Sequence, residues 1–346
     1  TSRRQRQMCI RDRQIIIKRF KDLFFKAKHY SIAFALYDFI WWMCFYLRPP
    51  FAYKLSSFVI RKKTAWLDRY ISLRYSDIIE SYRTKNLDQA PVENYKIWVF
   101  WGQGEENMPP LIRACHRQLT HFNHNVTLVT NQNVDNYISL SPVIMDKVLS
   151  GHITWAHYSD IVRNTLLAQY GGLWLDATVW VSGKIPFEKL SQLSLFSSNG
   201  KVPITNHSIR FWTSFEYNWS SWCLFANAKK YKLFEFVSEM LQAIAINERC
   251  WPDYVIQDYL ILYACRNFQQ VRNDMQKCQK YECKYRNRLA ELMNSPWSEK
   301  DYLNLIKADF VFKLSFRSKW KRYDPSGKQT FYGKITTSPF LDSSLT

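Results

Sequence analysis

The chain has 346 residues and carries 48 Lys plus Arg against 29 Asp plus Glu, a net charge of +19. Hydrophobic residues make up 47% and aromatics 17%, which excludes a disordered chain; with 9 Gly and 12 Pro it is not collagen-like or low-complexity material either. The charge is uneven: residues 1–90 hold 19 basic and 7 acidic side chains, residues 91–346 hold 29 and 22.

Arg3 to Arg13 reads RRQRQMCIRDR, a string that resembles the in-frame translation of a sequencing-library adapter. Residues 1–13 are therefore read as an artefact and left out of fold reasoning. Residues 14–90 read as an amphipathic helical region, with Ile, Phe, Leu and Tyr every three or four positions and Lys and Arg between them. Its most apolar stretch, Ser31 to Leu47, contains Asp38 and falls short of the ~20 apolar residues a membrane span needs. It ends at Arg48-Pro49-Pro50, which stops a helix. Two readings of it stand side by side. One is a buried helix of an N-terminal bundle. The other is an interfacial helix with Trp41, Trp42, Phe45 and Tyr46 at headgroup depth, flanked by basic residues facing anionic lipid. No cleavable signal pattern is visible, so a cytoplasmic location is expected, with peripheral attachment to the inner face of the plasma membrane on the second reading.

From Lys96 the pattern alternates. KIWVFW (96–101) predicts a buried strand, 105–119 a helix entered through Pro109-Pro110, and VTLVT (126–130) a second strand. Residues 156–170 predict a helix stopped at Gly171-Gly172, and LWLDATVWV (173–181) a third strand. Residues 195–197 and 222–226 are weaker strands, while 232–246 and 254–268 are predicted helices. Strands alternating with helices predict an α/β layer structure with a mostly parallel sheet. The tail from Asp309 reads as strand and loop and includes the basic-aromatic run Lys313 to Arg322. Eight irregularly spaced Cys suggest neither a disulfide framework nor zinc spacing, and reduced thiols are expected. The sequons at Asn125, Asn206 and Asn218 are read as chance occurrences.

One segment carries chemistry: HYSDIVRNTLLAQYGGLWLDATVW, His157 to Trp180. Asp160 and Arg163 lie three apart on one helix face. Asp176 lies near the carboxyl end of a strand, where ligands bind in open α/β sheets and where a carboxylate could hold a divalent cation against a diphosphate. His157 has no partner in a nucleophile–base motif and is read as a residue of the helix cap.

The SDxxR…YGGxxxD pattern resembles the sugar-nucleotide site of glycosyltransferases with a DXD-type motif, which include mannosyltransferase-like enzymes and glucosylating bacterial toxins. The chain is most similar to the bacterial capsular polysaccharide synthesis protein family. That resemblance also takes in residues 97–115, YSDII (75–79), VFKLS (311–315) and TFYGK (330–334). It implies a GT-A-like (Rossmann-like) fold over residues 91–335, followed by a short tail, 336–346. It also implies a nucleoside diphosphate sugar as donor, a growing, lipid-linked surface glycan as acceptor and retention of anomeric configuration. By position, Trp101, Gly102 and Gln103 would lie near the nucleotide base, and Asp160 and Arg163 on the donor sugar. Asp176 would hold Mn²⁺ or Mg²⁺, Gly171 and Gly172 would belong to the donor site, and Asp258 would face a sugar. Lys313, Ser318, Lys319 and Trp320 would form a lid over the diphosphate. The departure is Asp176-Ala177-Thr178, where relatives carry Asp-x-Asp. Two other classes are weighed. A basic lipid- or nucleic-acid-binding protein would explain the charge, but no nucleic-acid motif appears and no nucleic-acid partner is expected. A degenerate transferase that only binds is suggested by Thr178.

Overall fold

The segments KIWVFW and GLWL alternate between two sheet faces, because successive strand residues point to opposite sides. In the computed structural model, Trp98 and Trp174 are buried in one core, and Ile97, Val99, Leu173 and Leu175 in another on the opposite face. The structure describes residues 16–17, 19–44, 51–85, 89–199 and 219–341. The adapter-like residues 1–13, Phe45, Tyr46, the Arg48-Pro49-Pro50 stop, Asn206 and Asn218 lie outside the described residues.

The central sheet has five strands in the order β3-β2-β4-β7-β6. They are β2 (Ile97–Phe100), β3 (Val126–Val129), β4 (Gly172–Leu175), β6 (Leu195–Ser197) and β7 (Cys223–Ala226). β3, β2 and β4 pair in parallel, whereas β7 runs antiparallel to both β4 and β6. The α/β expectation therefore holds, with a mixed sheet in place of a mostly parallel one. The short pair β1 (Ala90–Pro91) and β8 (Ala228–Lys229) lies outside this sheet.

The predicted third strand, 173–181, is two strands. β4 ends at Leu175, and a turn closed by the Val179 N–H donating to the Asp176 carbonyl (2.9 Å) redirects the chain into β5 (Val179–Val181). β5 then pairs antiparallel with β9 (Val311–Lys313), in the register Val179↔Lys313. Hydrophobicity runs unbroken through the turn, so it could not show the change of sheet.

The helices cover both faces. Labels α1 to α4 are given to the helical residues 19–29, Ile32–Met43, Phe51–Arg74 and Ser76–Thr84. α5 (Pro110–Phe122) starts at the second proline, five residues later than expected. α6 is Pro142–Leu149, and α7 (Trp155–Tyr170) is capped by Thr154, whose side chain accepts from the His157 N–H (3.3 Å). α8 (Phe187–Leu190), α9 (Lys232–Asn247) and α10 (Ile256–Asn267) follow. Residues 269–308 add α11 (Gln269–Cys278), α12 (Arg288–Leu292) and α13 (Glu299–Ala308), and the tail, expected as strand and loop, ends in a helix, α14 (Phe331–Thr337).

The helices of 19–85 share the main core. Phe34, Leu67, Ile71, Tyr75, Ile79 and Tyr82 are buried in the same cluster as Trp98 and Trp174. Asp38 and Lys63 are both buried and bonded (2.5 Å), and Lys63 also pairs with Asp253. Trp41 and Trp42 are 8% and 6% exposed, which corrects their placement at headgroup depth. Among the described residues no helix is long and apolar enough to cross a membrane.

Candidate functional site

The carboxyl ends of β2 and β4 open into a cavity of about 780 Å³. Such crevices outside the strand ends are where open α/β sheets take ligands. Its walls come from six places: the segment after β2 (Trp101, Gly102, Gln103), the first half of α7, the turn Asp176–Thr178, the segment Trp219–Trp222 before β7, the start of α10, and the end of β9 with the loop after it, Lys313 to Arg317.

Arg163 is the hub. Its guanidinium donates to Asp160 Oδ1 (2.8 Å), Asp176 Oδ1 (3.0 Å) and Gln257 Oε1 (3.0 Å), and it lies 4.9 Å over the Trp174 ring. The i,i+3 spacing on α7 sets the first contact. The second arises because α7 packs beneath β4 and delivers its carboxylate partner at the strand end. Asp176 is held from three sides: Trp174 Nε1 donates to Oδ1 (3.0 Å) and Lys313 Nζ to Oδ2 (2.6 Å). Lys313 Nζ also donates to Thr178 Oγ1 (2.9 Å).

The three cavity carboxylates are pushed in different directions. Burial alone would raise Asp176, but Lys313 and Arg163 outweigh it and hold the carboxyl at about 2. Burial wins at Asp160, which rises to about 7 despite Arg163, with Asp258 and Asp176 adding to the rise. Asp258 rises to about 6 through burial, opposed by the Ser221 hydroxyl that donates to it (2.8 Å) and by Arg163. Carboxylates pushed apart in this way are a mark of functional sites. His157 also lines the cavity, stacked on Trp251 at 4.8 Å, and burial lowers it to about 4, which keeps it neutral.

Of the residues expected at the site, Trp101, Gly102, Gln103, Asp160, Arg163, Asp176 and Asp258 all line the cavity. Trp101 meets Phe316 edge to face at 5.7 Å, and its Nε1 has no partner among the described residues. Gly171 and Gly172 do not reach the cavity. They sit at the opposite end of β4, with φ of 65° and 87°, and a Cβ on Gly172 would lie 2.4 Å from the Lys96 carbonyl. Their role is to turn α7 into β4 beside β2. Ser318 and Lys319 are exposed and outside the cavity lining, and Trp320 Nε1 donates to the Ser315 carbonyl (2.7 Å), pinning the loop from outside. The residues of this loop that face the cavity are 313–317.

Gln257 and Trp174 went unrecognised in the sequence. Gln257 sits one position before Asp258, and only the packing of α10 on α7 shows that it meets Arg163. Among the described residues no group of three His, Cys, Asp or Glu side chains is placed to hold a metal ion, and none of the seven described cysteines is in a disulfide.

A family model described as capsular polysaccharide synthesis protein matches residues 51–335, which includes every wall of this cavity. No curated protein matches the chain.

Proposed function

The chain belongs to the capsular polysaccharide synthesis protein family, and from that premise we propose that it is a glycosyltransferase. It moves a sugar from a nucleoside diphosphate sugar to a growing capsular or other surface glycan that is lipid-linked. The observation that carries this is the single bonded unit of Asp160, Arg163 and Asp176 at the carboxyl ends of β2 and β4. The mixed sheet is read as a GT-A-like nucleotide-sugar fold.

On this reading the Trp101 face receives the base, since an indole offers apolar area with an N–H at its edge. Asp160 and Asp258 accept hydrogen bonds from sugar hydroxyls. Arg163 holds both Asp160 and Asp176 in fixed rotamers, so the site needs little rearrangement when donor binds. The transfer breaks the bond between the anomeric carbon and the diphosphate, and the chain must stabilise the charge left on phosphate.

A divalent cation at Asp176 does not fit the residues present. Both carboxylate oxygens already accept from Arg163, Trp174 and Lys313. The next oxygen is the neutral hydroxyl of Thr178, and a cation there would sit beside two positive side chains.

Thermal shift tests the donor reading. A panel of UDP-glucose, UDP-galactose, UDP-N-acetylglucosamine and GDP-mannose should include a compound that raises Tm of the wild type. At 100 times its Kd a ligand adds about 2.7 kcal/mol. Asp160→Asn should reduce the shift. No shift from any of the four would remove the support for a donor site.

A further inference from the structure

Resting on the donor reading above, we propose that Lys313 takes the place of the divalent cation, so that the ammonium held between Asp176 and Thr178 neutralises the donor diphosphate and the transfer runs without metal. The inference rests on the wiring of the turn. Asp176 Oδ2 accepts from Lys313 Nζ at 2.6 Å, and Thr178 Oγ1, standing where relatives carry a second carboxylate, accepts from the same nitrogen at 2.9 Å. The two side chains that in an Asp-x-Asp pair would grip a metal here grip an ammonium group. An ammonium has three N–H donors, so one remains for a phosphate oxygen. Lys is a compact point charge suited to phosphate.

Its position is built in by the fold. The β5–β9 register sets Val179 opposite Lys313, and the Leu314 N–H donates to the Thr178 carbonyl (3.0 Å), so turn and lysine are tied by backbone. The Lys313 side chain lines the cavity and is 27% exposed, and Arg317, further along the same loop, adds a second cation to the wall. Thr178 fits this scheme better than Asp would. A second carboxylate beside Asp176 would leave Lys313 overmatched by negative charge and repel the diphosphate, whereas a hydroxyl orients the ammonium without cancelling it.

Lys313 changes no covalent bond. In the transfer the carbon–oxygen bond to the diphosphate breaks with its electron pair on the phosphate oxygen, and the acceptor oxygen bonds to the same carbon. The acceptor proton ends on the released diphosphate. Lys313 donates to that oxygen as its charge grows.

The test measures UDP and GDP binding by calorimetry, and turnover of the same four nucleotide sugars, in EDTA and in MnCl₂. Wild type should bind and turn over its donor equally in both. Lys313→Met should lose on the order of 10²–10³-fold in turnover, as when one preorganised donor to a developing oxyanion is removed. Lys313→Ala combined with Thr178→Asp, which restores Asp-x-Asp, should recover turnover in MnCl₂ only. Wild-type turnover that vanishes in EDTA and returns with Mn²⁺ overturns the metal-free role while leaving the transferase reading intact. Absence of binding and turnover under both conditions overturns the reading beneath it. The wild-type comparison needs no variant, so a Lys313 substitution that fails to fold does not blunt it.

Discussion

Burial in the cavity disfavours the charged form of Asp160, and this has a consequence for stability. Its carboxyl is raised by burial to about 7 in the folded protein, against 3.8 as the ordinary value. The folded state therefore holds its proton more tightly than the unfolded chain. The associated stability is complete below pH about 4 and is lost as pH rises through about 7. Asp160→Asn removes that loss. Thermal melts should show the Tm of the variant, relative to wild type, climbing between pH 5 and pH 8, and a gap that stays constant across this range would contradict the assignment. On the proposed function the same substitution should lower donor binding, the usual exchange of stability for function at a site. Arg163 is the opposite case. It is 5% exposed, and Arg163→Leu leaves Asp176 with one cation and Asp160 with none, so it should cost about 3–5 kcal/mol in chemical denaturation, as breaking a buried pair does. The i,i+3 pair and Asp176 were legible in sequence because α7 and β4 lie close along the chain. Lys313 was recognised only as a basic residue near a diphosphate, because its bond to Asp176 spans 137 positions and depends on a strand pairing no local pattern announces.

Elements explain why the remaining expectations held or failed. Strands β2 and β4 were readable because Trp98 and Trp174 alternate with aliphatic neighbours, and α7 because Gly171 stops it sharply. The split between β4 and β5 was not, since Val179, Trp180 and Val181 are as buried as β4 itself. The glycine pair lies away from the cavity lining, at the other end of β4, and a test follows. At Gly172, φ is +87° and the Cβ site is 2.4 Å from the Lys96 carbonyl, a backbone atom that cannot rotate away. Gly172→Ala should therefore destabilise by roughly 2–4 kcal/mol, combining the positive-φ penalty with displacement of β4 from β2. It should leave donor affinity of the folded fraction unchanged, since the glycine lies at the far end of the strand. Equal loss of affinity and stability would place Gly172 in the site after all.

The whole molecule links its N-terminal helices to the cavity. Lys63, fully buried on α3, pairs with Asp38 on α2 and with Asp253, whose side chain accepts from the Val255 N–H (3.0 Å) just before α10 begins. That helix carries Gln257 and Asp258 into the site. Tyr70 and Tyr75 likewise both donate to Glu248 Oε1 at 2.7 Å. Lys63→Met strands the buried carboxylate of Asp253 and leaves Asp38 with Lys26 alone (2.8 Å), so it should cost about 3–5 kcal/mol, and weaken donor binding without touching donor. The outer surface of these helices leaves Phe24, Ile32, Phe51 and Phe58 between 50% and 72% exposed, alongside exposed Lys21, Lys28, Lys54, Arg61 and Lys62. Residues 14–90 hold 14 basic and 6 acidic side chains, a balance of +8. We propose that this face meets an anionic membrane, where a lipid-linked acceptor would reside. Co-sedimentation with phosphatidylglycerol vesicles should exceed that with phosphatidylcholine alone and fall with salt. Phe24→Asp with Ile32→Asp should cut it at least about tenfold; equal binding to both vesicles would contradict this.

The central claim is that the cavity transfers sugar, and turnover decides it. Purified protein, labelled nucleotide sugars and a lipid-linked glycan acceptor should yield labelled product and free nucleoside diphosphate with wild type. With Asp176→Asn, which loosens both Arg163 and Lys313 from the turn, the rate should fall on the order of 10²-fold or more. Labelled product formed equally well by Asp176→Asn would contradict the account.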